Sequence, residues 1–159
     1  MNKIVQFQSL DTFIQKIKRG NQKVVLVGGC FDILHLGHIK FIHRSKSFGD
    51  TLIIALESDV NVQRLKGKNR PFNTQIERAE ILSHISEVDF VLMLPPMAEH
   101  EEYTSLVTKI HPHVIALTAE DKYAEQKRKQ AENIGADFKI IDKFQTYSTS
   151  KLAKLLGLD

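Results

Sequence analysis

Five short, continuous apolar runs alternate with longer stretches of helical pattern, and this alternation constrains the fold more than any other feature. The runs lie at residues 23–28, 51–56, 88–94, 114–117 and 137–141. Because the runs are unbroken, they are typical of parallel strands that are covered on both faces. The stretches between them are long enough to supply the crossover helices that parallel strands need. The pattern therefore predicts a doubly wound, Rossmann-like α/β fold with a five-stranded parallel sheet and helices on both faces.

The helices are predicted from periodicity and from end signals. A first helix carries its apolar side chains on one face, at Leu10, Phe13, Ile14 and Ile17. Further helices are predicted over 37–47, 101–110 and 122–133, and a short one begins near residue 148. Thr74 and Glu77 form a capping-box pattern that starts another helix, whereas residues 57–73 are predicted to be a polar loop. We expect residues 1–159 to form one domain, with residues 1–22 as an N-terminal helical extension.

Composition limits the environment and the partners of the chain. The 159 residues carry a formal net charge of +3, which is too mild to indicate a nucleic-acid partner. No apolar run approaches the roughly 20 residues of a membrane-spanning helix, and the N-terminus lacks a secretory apolar segment. Cys30 is the only cysteine, so no intramolecular disulfide can form. We therefore expect a cytoplasmic protein with no membrane partner.

The segment Gly29-Cys30-Phe31-Asp32-Ile33-Leu34-His35-Leu36-Gly37-His38 joins the first predicted strand to a helix. Such a junction exposes backbone N–H groups and the positive end of the helix dipole, so it favours anions. Two imidazoles around Gly37 at this junction favour a functional site over a structural one. Metal binding is the rival interpretation, but Asp32 is the only candidate for a third ligand.

Two further segments follow strands and carry groups suited to anions. Lys66, Gly67 and Arg70 follow the second predicted strand, and a run of hydroxyl side chains from Tyr147 to Ser150 follows the fifth. Ser and Thr at the start of a helix are also ordinary N-caps, and a basic cluster can simply face solvent. Arg78 has two equally weighted interpretations, an intrahelical ion pair or a contact in the site. Since the carboxyl ends of parallel strands lie at one edge, we expect these segments to converge on a polyphosphate pocket.

The segment from Gly29 to His38 resembles the GxFDxxHxGH signature of the cytidylyltransferase-like nucleotidyltransferases. Segments 64–67, 70–73 and 77–78 are most similar to the adenylyltransferase domain of ADP-heptose synthase. Glycerol-3-phosphate cytidylyltransferase and archaeal FAD synthetase are similar but match the middle segment less well. The resemblance implies a nucleotidyltransferase domain in which an acceptor phosphate attacks the α-phosphorus of a nucleoside triphosphate and pyrophosphate leaves.

The resemblance also implies roles for individual residues. His35, His38, Lys66 and Arg78 would be catalytic, stabilising charge on the triphosphate and supporting the substrates. The nucleotide would be bound by Gly29, Cys30, Phe31, Asp32, Gly37, Glu120, Tyr147, Ser148 and Thr149. The acceptor would be bound by Asp32, Lys66 and Arg70. No metal-ligating residue is implied, and Mg²⁺ would act only together with the nucleotide. Relatives of this kind are commonly homodimers.

The segment after the fourth predicted strand departs from the family pattern. Where the heptose enzymes have a Lys-Gly-Gly-Asp-Tyr sequence, this chain has Thr118-Ala119-Glu120-Asp121 followed by Lys and Tyr, without either glycine. That segment approaches the base and ribose in the family, so ATP and CTP both stay open as donors. Transfer to glycerol 3-phosphate or FMN, and a non-catalytic nucleotide-binding module, are the alternatives to a sugar phosphate adenylyltransferase.

Overall fold

A computed structural model describes residues 2–142, 144 and 148–158. Its strands are β1 (Ile4–Gln6), β2 (Val24–Gly29), β3 (Thr51–Leu56), β4 (Phe90–Met93), β5 (Val114–Thr118) and β6 (Asp137–Ile141). Its α-helices are α1 (Leu10–Arg19), α2 (Leu36–Lys46), α3 (Asp59–Lys66), α4 (Gln75–Ser83), α5 (His100–Ile110), α6 (Ala124–Ile134) and α7 (Thr149–Leu155). The strands form one parallel sheet in the order β1-β4-β3-β2-β5-β6.

The two faces of the sheet pack against different helices because successive strand residues point in opposite directions. In β2, Val24 and Leu26 join one apolar cluster with helices α1, α5 and α6. Val25 and Val27 join the other cluster, with helices α2 and α4. Burial on both faces explains why the central strands are uninterrupted apolar runs, and it confirms the predicted layered α/β architecture.

The order of the strands creates a switch point beside β2. From β2 the chain moves to β3 and β4 on one side, and it later returns to place β5 and β6 on the other side. In open α/β sheets, ligands bind in the crevice outside the carboxyl ends of the strands at such a reversal. The segment from Gly29 to His38, called the histidine turn below, follows β2. It flanks this crevice together with the segment after β5.

Two elements differ from the sequence-based expectation. The sheet has a sixth strand, β1, whose three residues include one buried side chain, Val5. A strand this short has no detectable period, and it is held by pairing with β4. Residues 59–66 form helix α3 instead of loop, although only Asn61 and Val62 are buried in it. The missed signal was its N-cap, because the Ser58 side chain accepts a hydrogen bond from the Asn61 N–H at 3.2 Å.

The predicted end signals are otherwise confirmed. Thr74 and Glu77 form both halves of the capping box, with the Glu77 carboxylate accepting from the Thr74 N–H at 2.8 Å. Gly135 follows α6 with a φ of 68°, a left-handed conformation that glycine adopts at little cost. The strand predicted over 88–94 is shorter, running from Phe90 to Met93.

Candidate active site

His35 is the N-cap of α2, and His38 lies one turn into that helix. The backbone of His35 is extended, and its Nδ1 accepts a hydrogen bond from the Gly37 N–H at 3.1 Å. This contact leaves Nε2 as the protonated nitrogen of the neutral ring. The two imidazoles stack, with ring centroids 3.9 Å apart and planes inclined by 28°. The sequence His-Leu-Gly-His thus builds a stacked pair of rings at the edge of the sheet.

Both imidazoles are disposed to be neutral at pH 7. Burial lowers the pKa of His35 below its ordinary value. Burial, with a smaller contribution from the neighbouring His35, lowers the pKa of His38 to about 4. The Nδ1 atom of His38 is buried and has no hydrogen-bond partner among the residues that the structure describes. The pair therefore offers neutral hydrogen-bonding groups. A bound polyanion would raise the pKa of both rings, because negative charge favours the protonated form.

Phe31 and Gly29 shape the turn beneath His38. Phe31 is buried, adopts a φ of 46°, and places its ring centroid 5.2 Å from that of His38. A Cβ atom added to Gly29 would lie 2.8 Å from the Phe31 ring, so only glycine leaves room for this side chain. The Phe31 side chain belongs to the core and packs against His38, and its contact with a nucleotide stays a prediction.

Asp32 joins the histidine turn to the segment before α4. Its carboxylate is buried and accepts from Arg70 Nε at 2.6 Å, the Phe72 N–H at 2.8 Å and the Asn73 N–H at 3.1 Å. These contacts fasten the segment before α4 onto the histidine turn. The carboxylate therefore has three protein partners, and its roles in binding the nucleotide and the acceptor stay predictions.

Arg78 is a structural clamp below the crevice. Its side chain is fully buried. It donates to the backbone carbonyls of Cys30, Glu57 and Asn73 and to the Asp59 carboxylate, the last at 2.7 Å. Its ion pair is with Asp59 and not with an acid of its own helix, while its predicted role in the site stays a prediction. It ties the ends of β2 and β3 to the starts of α3 and α4.

Lys66 is the last residue of α3, and Gly67 follows it with a φ of 111°. The Lys66 side chain is exposed, and its positive charge lowers the pKa of both Cys30 and His38. Burial has the larger effect on Cys30 and leaves the pKa of its thiol raised. Lys66 therefore stands within electrostatic reach of the histidine turn, and its catalytic role stays a prediction.

Arg70 adds a second cation to the same region. Its side chain is 3% exposed, and Asp32 holds its Nε. Its two Nη groups donate no hydrogen bond within residues 2–142, 144 and 148–158. The guanidinium stacks on the Phe72 ring at 4.8 Å, which fixes its plane. A held guanidinium with unused donors matches the geometry of an oxyanion ligand.

Thr149 belongs to the run of hydroxyl side chains predicted over 147–150, called the hydroxyl segment below. It joins the start of α7 to the histidine turn. Thr149 is buried, and its Oγ1 donates to the Ile33 carbonyl at 2.8 Å. Ser148 caps α7 by accepting from the Lys151 N–H at 3.2 Å. Tyr147, which the sequence places in the nucleotide site, lies outside the described residues. The start of α7 is thus joined to the loop that carries the histidines.

Glu120 lies on the other side of the crevice, in the exposed turn after β5. The neighbouring Asp121 shapes this turn by accepting from the Tyr123 N–H at 2.8 Å and from Lys127 Nζ at 2.6 Å. The Ala119 N–H donates to the Ile141 carbonyl. The turn without glycines is therefore ordered by its own side chains, and Glu120 is separated from the Lys66 side of the crevice by β2.

Sequence reasoning missed a polar cluster after β3. Tyr103 and Asn61 both donate to the Glu57 carboxylate, at 3.0 Å and 2.9 Å. The signal that could have found it is positional, because Glu57 is the first residue beyond the carboxyl end of a central strand. In the described part of the chain, no three His, Cys, Asp or Glu side chains form a group that could hold a metal ion. A helix long and apolar enough to cross a membrane is likewise missing from that part.

Comparisons with known proteins agree with this geometry. The bifunctional protein HldE of Campylobacter concisus is 36% identical over 157 residues, which is 96% of this chain and 30% of that protein. HldE of Campylobacter jejuni is 35% identical over 151 residues, covering 92% of this chain and 30% of that protein. The chain therefore spans less than a third of the length of these curated relatives.

Two crystal structures share the fold. The lipopolysaccharide core biosynthesis protein from Thermoplasma volcanium has a TM-score of 0.63 and 24% identity, covering 80% of this chain and 100% of that one. Pantoate-beta-alanine ligase from Francisella tularensis has a TM-score of 0.59 and 18% identity, covering 94% and 69%. A family model described as cytidylyltransferase-like matches residues 26–154, which include the histidine turn, Lys66 and Thr149. The chain therefore belongs to the cytidylyltransferase-like family.

Proposed function

We propose that this chain transfers AMP from ATP to the phosphate of a phosphorylated sugar or polyol, such as heptose 1-phosphate. An oxygen of the acceptor phosphate forms a bond to the α-phosphorus, and the bond from that phosphorus to the bridging oxygen of the β-phosphate breaks. The electron pair leaves with pyrophosphate. The attacking phosphate is already ionised at pH 7, so this step needs no general base. Family membership and the HldE relatives support the reaction class.

The single observation that carries the proposal is the stacked His35–His38 pair at the switch point beside β2. Charge develops on the triphosphate as pyrophosphate leaves, and preorganised donors stabilise it most when they need no rearrangement. Stacking, the Gly37 N–H and the Phe31 ring hold the two imidazoles before any ligand arrives. Two neutral rings also accept an anion without first giving up an ion pair.

Two cations, Lys66 and Arg70, would offset the negative charge of the bound phosphates. Lys66 acts on the same region as His38 and would neutralise phosphate oxygens. Arg70, held by Asp32 and with both Nη groups unused, would bind the acceptor phosphate through two parallel hydrogen bonds. Together they would align the attacking oxygen opposite the pyrophosphate, which is the positioning that a displacement at phosphorus requires.

The nucleotide would lie over the carboxyl ends of β2 and β5. In this position the backbone from Gly29 to Gly37 would face the phosphates, and Glu120 would face the ribose or base. Ser148 and Thr149 would hold the far end of the triphosphate, supported by the junction of Thr149 with Ile33. Tyr147 is proposed for the same end from the family resemblance alone.

Mg²⁺ is proposed to arrive with the nucleotide. The described side chains offer no ligand set of their own for a metal ion, and the Asp32 carboxylate is occupied. The ion would therefore be held by phosphate oxygens, where it neutralises charge.

We also propose a cytoplasmic homodimer. The single cysteine fits a reducing compartment. The dimer rests on the family resemblance, and light scattering coupled to size exclusion tests it: a mass near 36 kDa is expected, twice the 18.1 kDa of one chain. A mass of one chain at micromolar concentration would contradict it.

A matrix of donors and acceptors tests the reaction. ATP and CTP are each combined with heptose 1-phosphate, glycerol 3-phosphate and FMN, and pyrophosphate release is measured alongside mass spectrometry of the product. We expect the ATP and heptose 1-phosphate pair to give the highest kcat/KM. Preference for CTP with glycerol 3-phosphate would reassign the substrates, and tight ATP binding without turnover in any combination would indicate a binding module.

A further inference from the structure

Glu57 is an acidic side chain at the carboxyl end of β3, the strand that precedes the segment carrying Lys66 and Arg70. It follows β3 directly, and its carboxylate accepts from Tyr103 Oη at 3.1 Å and 3.0 Å and from Asn61 Nδ2 at 2.9 Å. Asn61 Nδ2 also donates to Tyr103 Oη at 2.8 Å, which closes a three-membered network. Asn61 is buried, while Glu57 and Tyr103 are half-buried. The network is therefore held by a buried residue and is partly accessible to solvent.

The Glu57 carboxylate has neutral partners only. No salt bridge joins it to a cation within the described residues. Its charge nevertheless raises the pKa of the Cys30 thiol, so it lies within electrostatic reach of the histidine turn. The same thiol feels the charges of Lys66, Arg70 and Arg78. A carboxylate that is held only by a phenol and an amide, near a thiol that three cations also reach, keeps hydrogen-bond acceptor capacity available.

The topology places this carboxylate at the acceptor end of the site. The proposed nucleotide would lie over β2 and β5, whereas Glu57 follows β3, which lies on the opposite side of β2 from β5. Lys66 and Arg70 stand on that same side, on the segment that joins β3 to α4. A carboxylate repels phosphate, so it cannot bind the phosphate end of an acceptor. It can accept hydrogen bonds from hydroxyl groups carried by the rest of that molecule.

We propose that Glu57, positioned by Tyr103 and Asn61, accepts a hydrogen bond from a hydroxyl group of the acceptor and thereby selects polyhydroxylated phosphates. This inference rests on the proposed nucleotidyl transfer and deepens it. The phosphate of the acceptor binds the cations, its hydroxyl binds Glu57, and the two contacts together orient the attacking oxygen.

Kinetics of Glu57→Gln test the assignment, with ATP and heptose 1-phosphate as substrates. The substitution keeps the shape of the side chain and removes the charge. We expect the KM for heptose 1-phosphate to rise about 10- to 100-fold, the range for losing a hydrogen bond to a charged group, and the KM for ATP to stay within twofold. Glu132→Gln, an exposed carboxylate on α6, is the matched control and should change neither constant.

Deoxy analogues of heptose 1-phosphate locate the contact. In the wild type, the analogue that lacks the bound hydroxyl should lose kcat/KM by the same factor as the substitution, and in Glu57→Gln that analogue should lose nothing further. Tyr103→Phe keeps the carboxylate but loosens its position, so it should raise the acceptor KM several-fold. This second variant keeps the test informative if Glu57→Gln fails to fold.

The outcomes separate the two proposals. Wild-type turnover with unchanged acceptor KM in both variants, or equal losses for every deoxy analogue, would overturn the role of Glu57 and leave nucleotidyl transfer standing. A wild-type preference for ethanolamine phosphate over heptose 1-phosphate would assign the carboxylate to an ammonium group and overturn the hydroxyl assignment. Absence of wild-type turnover with every acceptor would overturn nucleotidyl transfer, and the Glu57 inference with it.

Discussion

At the scale of single residues, the site depends on neutral imidazoles that are fixed in advance. His38 has lost most of its tendency to take up a proton because it is buried beside a second imidazole. It is also left with an unpartnered buried Nδ1 among the described residues, which costs stability. The stacking of the two rings at the carboxyl edge of the sheet, and not this buried atom, is what indicates a functional pair.

Replacing His38 by alanine should therefore lower kcat while the protein stays folded. Loss of one preorganised donor typically slows such a step by about 100- to 1000-fold. Pyrophosphate release and the circular dichroism spectrum measure the two effects. His84→Ala, which removes an exposed histidine at the C-terminal end of α4, should retain the wild-type rate. A near-normal rate for His38→Ala would refute the catalytic role.

The lowered pKa of His38 also predicts how stability changes with pH. The folded state takes up this proton near pH 4, whereas the unfolded chain does so near 6.5. Between these values the unfolded state binds more protons, so the free energy of unfolding should rise with pH from about 4 to 6.5. The contribution of His38 is at most about 3 kcal/mol. Urea unfolding of the wild type and His38→Gln measures it, and equal slopes against pH in the two proteins would contradict the burial argument.

At the scale of elements, Arg78 and Thr149 hold the site together from two directions. Arg78 joins the ends of two strands to the starts of two helices, and Thr149 joins α7 to the histidine turn. Neither contact involves the reacting groups directly. Each sets where an element lies, and the elements in turn place Lys66 and the hydroxyl segment.

Arg78→Ala should destabilise the fold, since it leaves buried carbonyls and Asp59 without their donor. Breaking such a buried network costs about 3–5 kcal/mol. Urea unfolding followed by circular dichroism measures the loss, with Arg19→Ala on the exposed end of α1 as the control for removing an arginine. A loss below about 1 kcal/mol would show that the clamp is dispensable.

Thr149→Val should loosen α7 with a smaller effect on stability. Removing one hydrogen bond costs about 0.5–1.5 kcal/mol, and the valine side chain keeps the buried volume. If the hydroxyl segment holds the far end of the triphosphate, the KM for ATP should rise about 10-fold while the acceptor KM changes little. Thr12→Val, at an exposed threonine on α1, serves as the control. An unchanged KM for ATP would separate α7 from the nucleotide site.

At the scale of the whole molecule, the fold follows from hydropathy patterns more fully than the site does. The central strands and the capping box at Thr74 were predictable because they depend on local sequence. β1 and α3 were missed because β1 has one buried residue and α3 has two, so neither shows a periodic apolar face. Their positions depend on tertiary contacts instead.

The candidate site divides in the same way. The roles of the histidines, Lys66 and Thr149 stay predictions. That the histidine turn and the start of α7 lie at one edge was predictable, because both follow strands and parallel strands end at one edge. The inward roles of Asp32 and Arg78 were not, since burial of a charged side chain depends on partners that are distant in sequence, up to 48 residues for Arg78 and Cys30. Glu57 was not predicted for the same reason, because its partner Tyr103 lies on α5, far from it in sequence.

The central claim is that these groups together transfer a nucleotide from a triphosphate to a phosphate. ³¹P nuclear magnetic resonance of the full chain with ATP, Mg²⁺ and heptose 1-phosphate tests it most directly, because each phosphorus is followed separately. We predict equal growth of pyrophosphate and of a new diphosphate that joins AMP to the acceptor. Growth of ADP with a phosphorylated acceptor or with orthophosphate, or spectra that never change, would contradict the account.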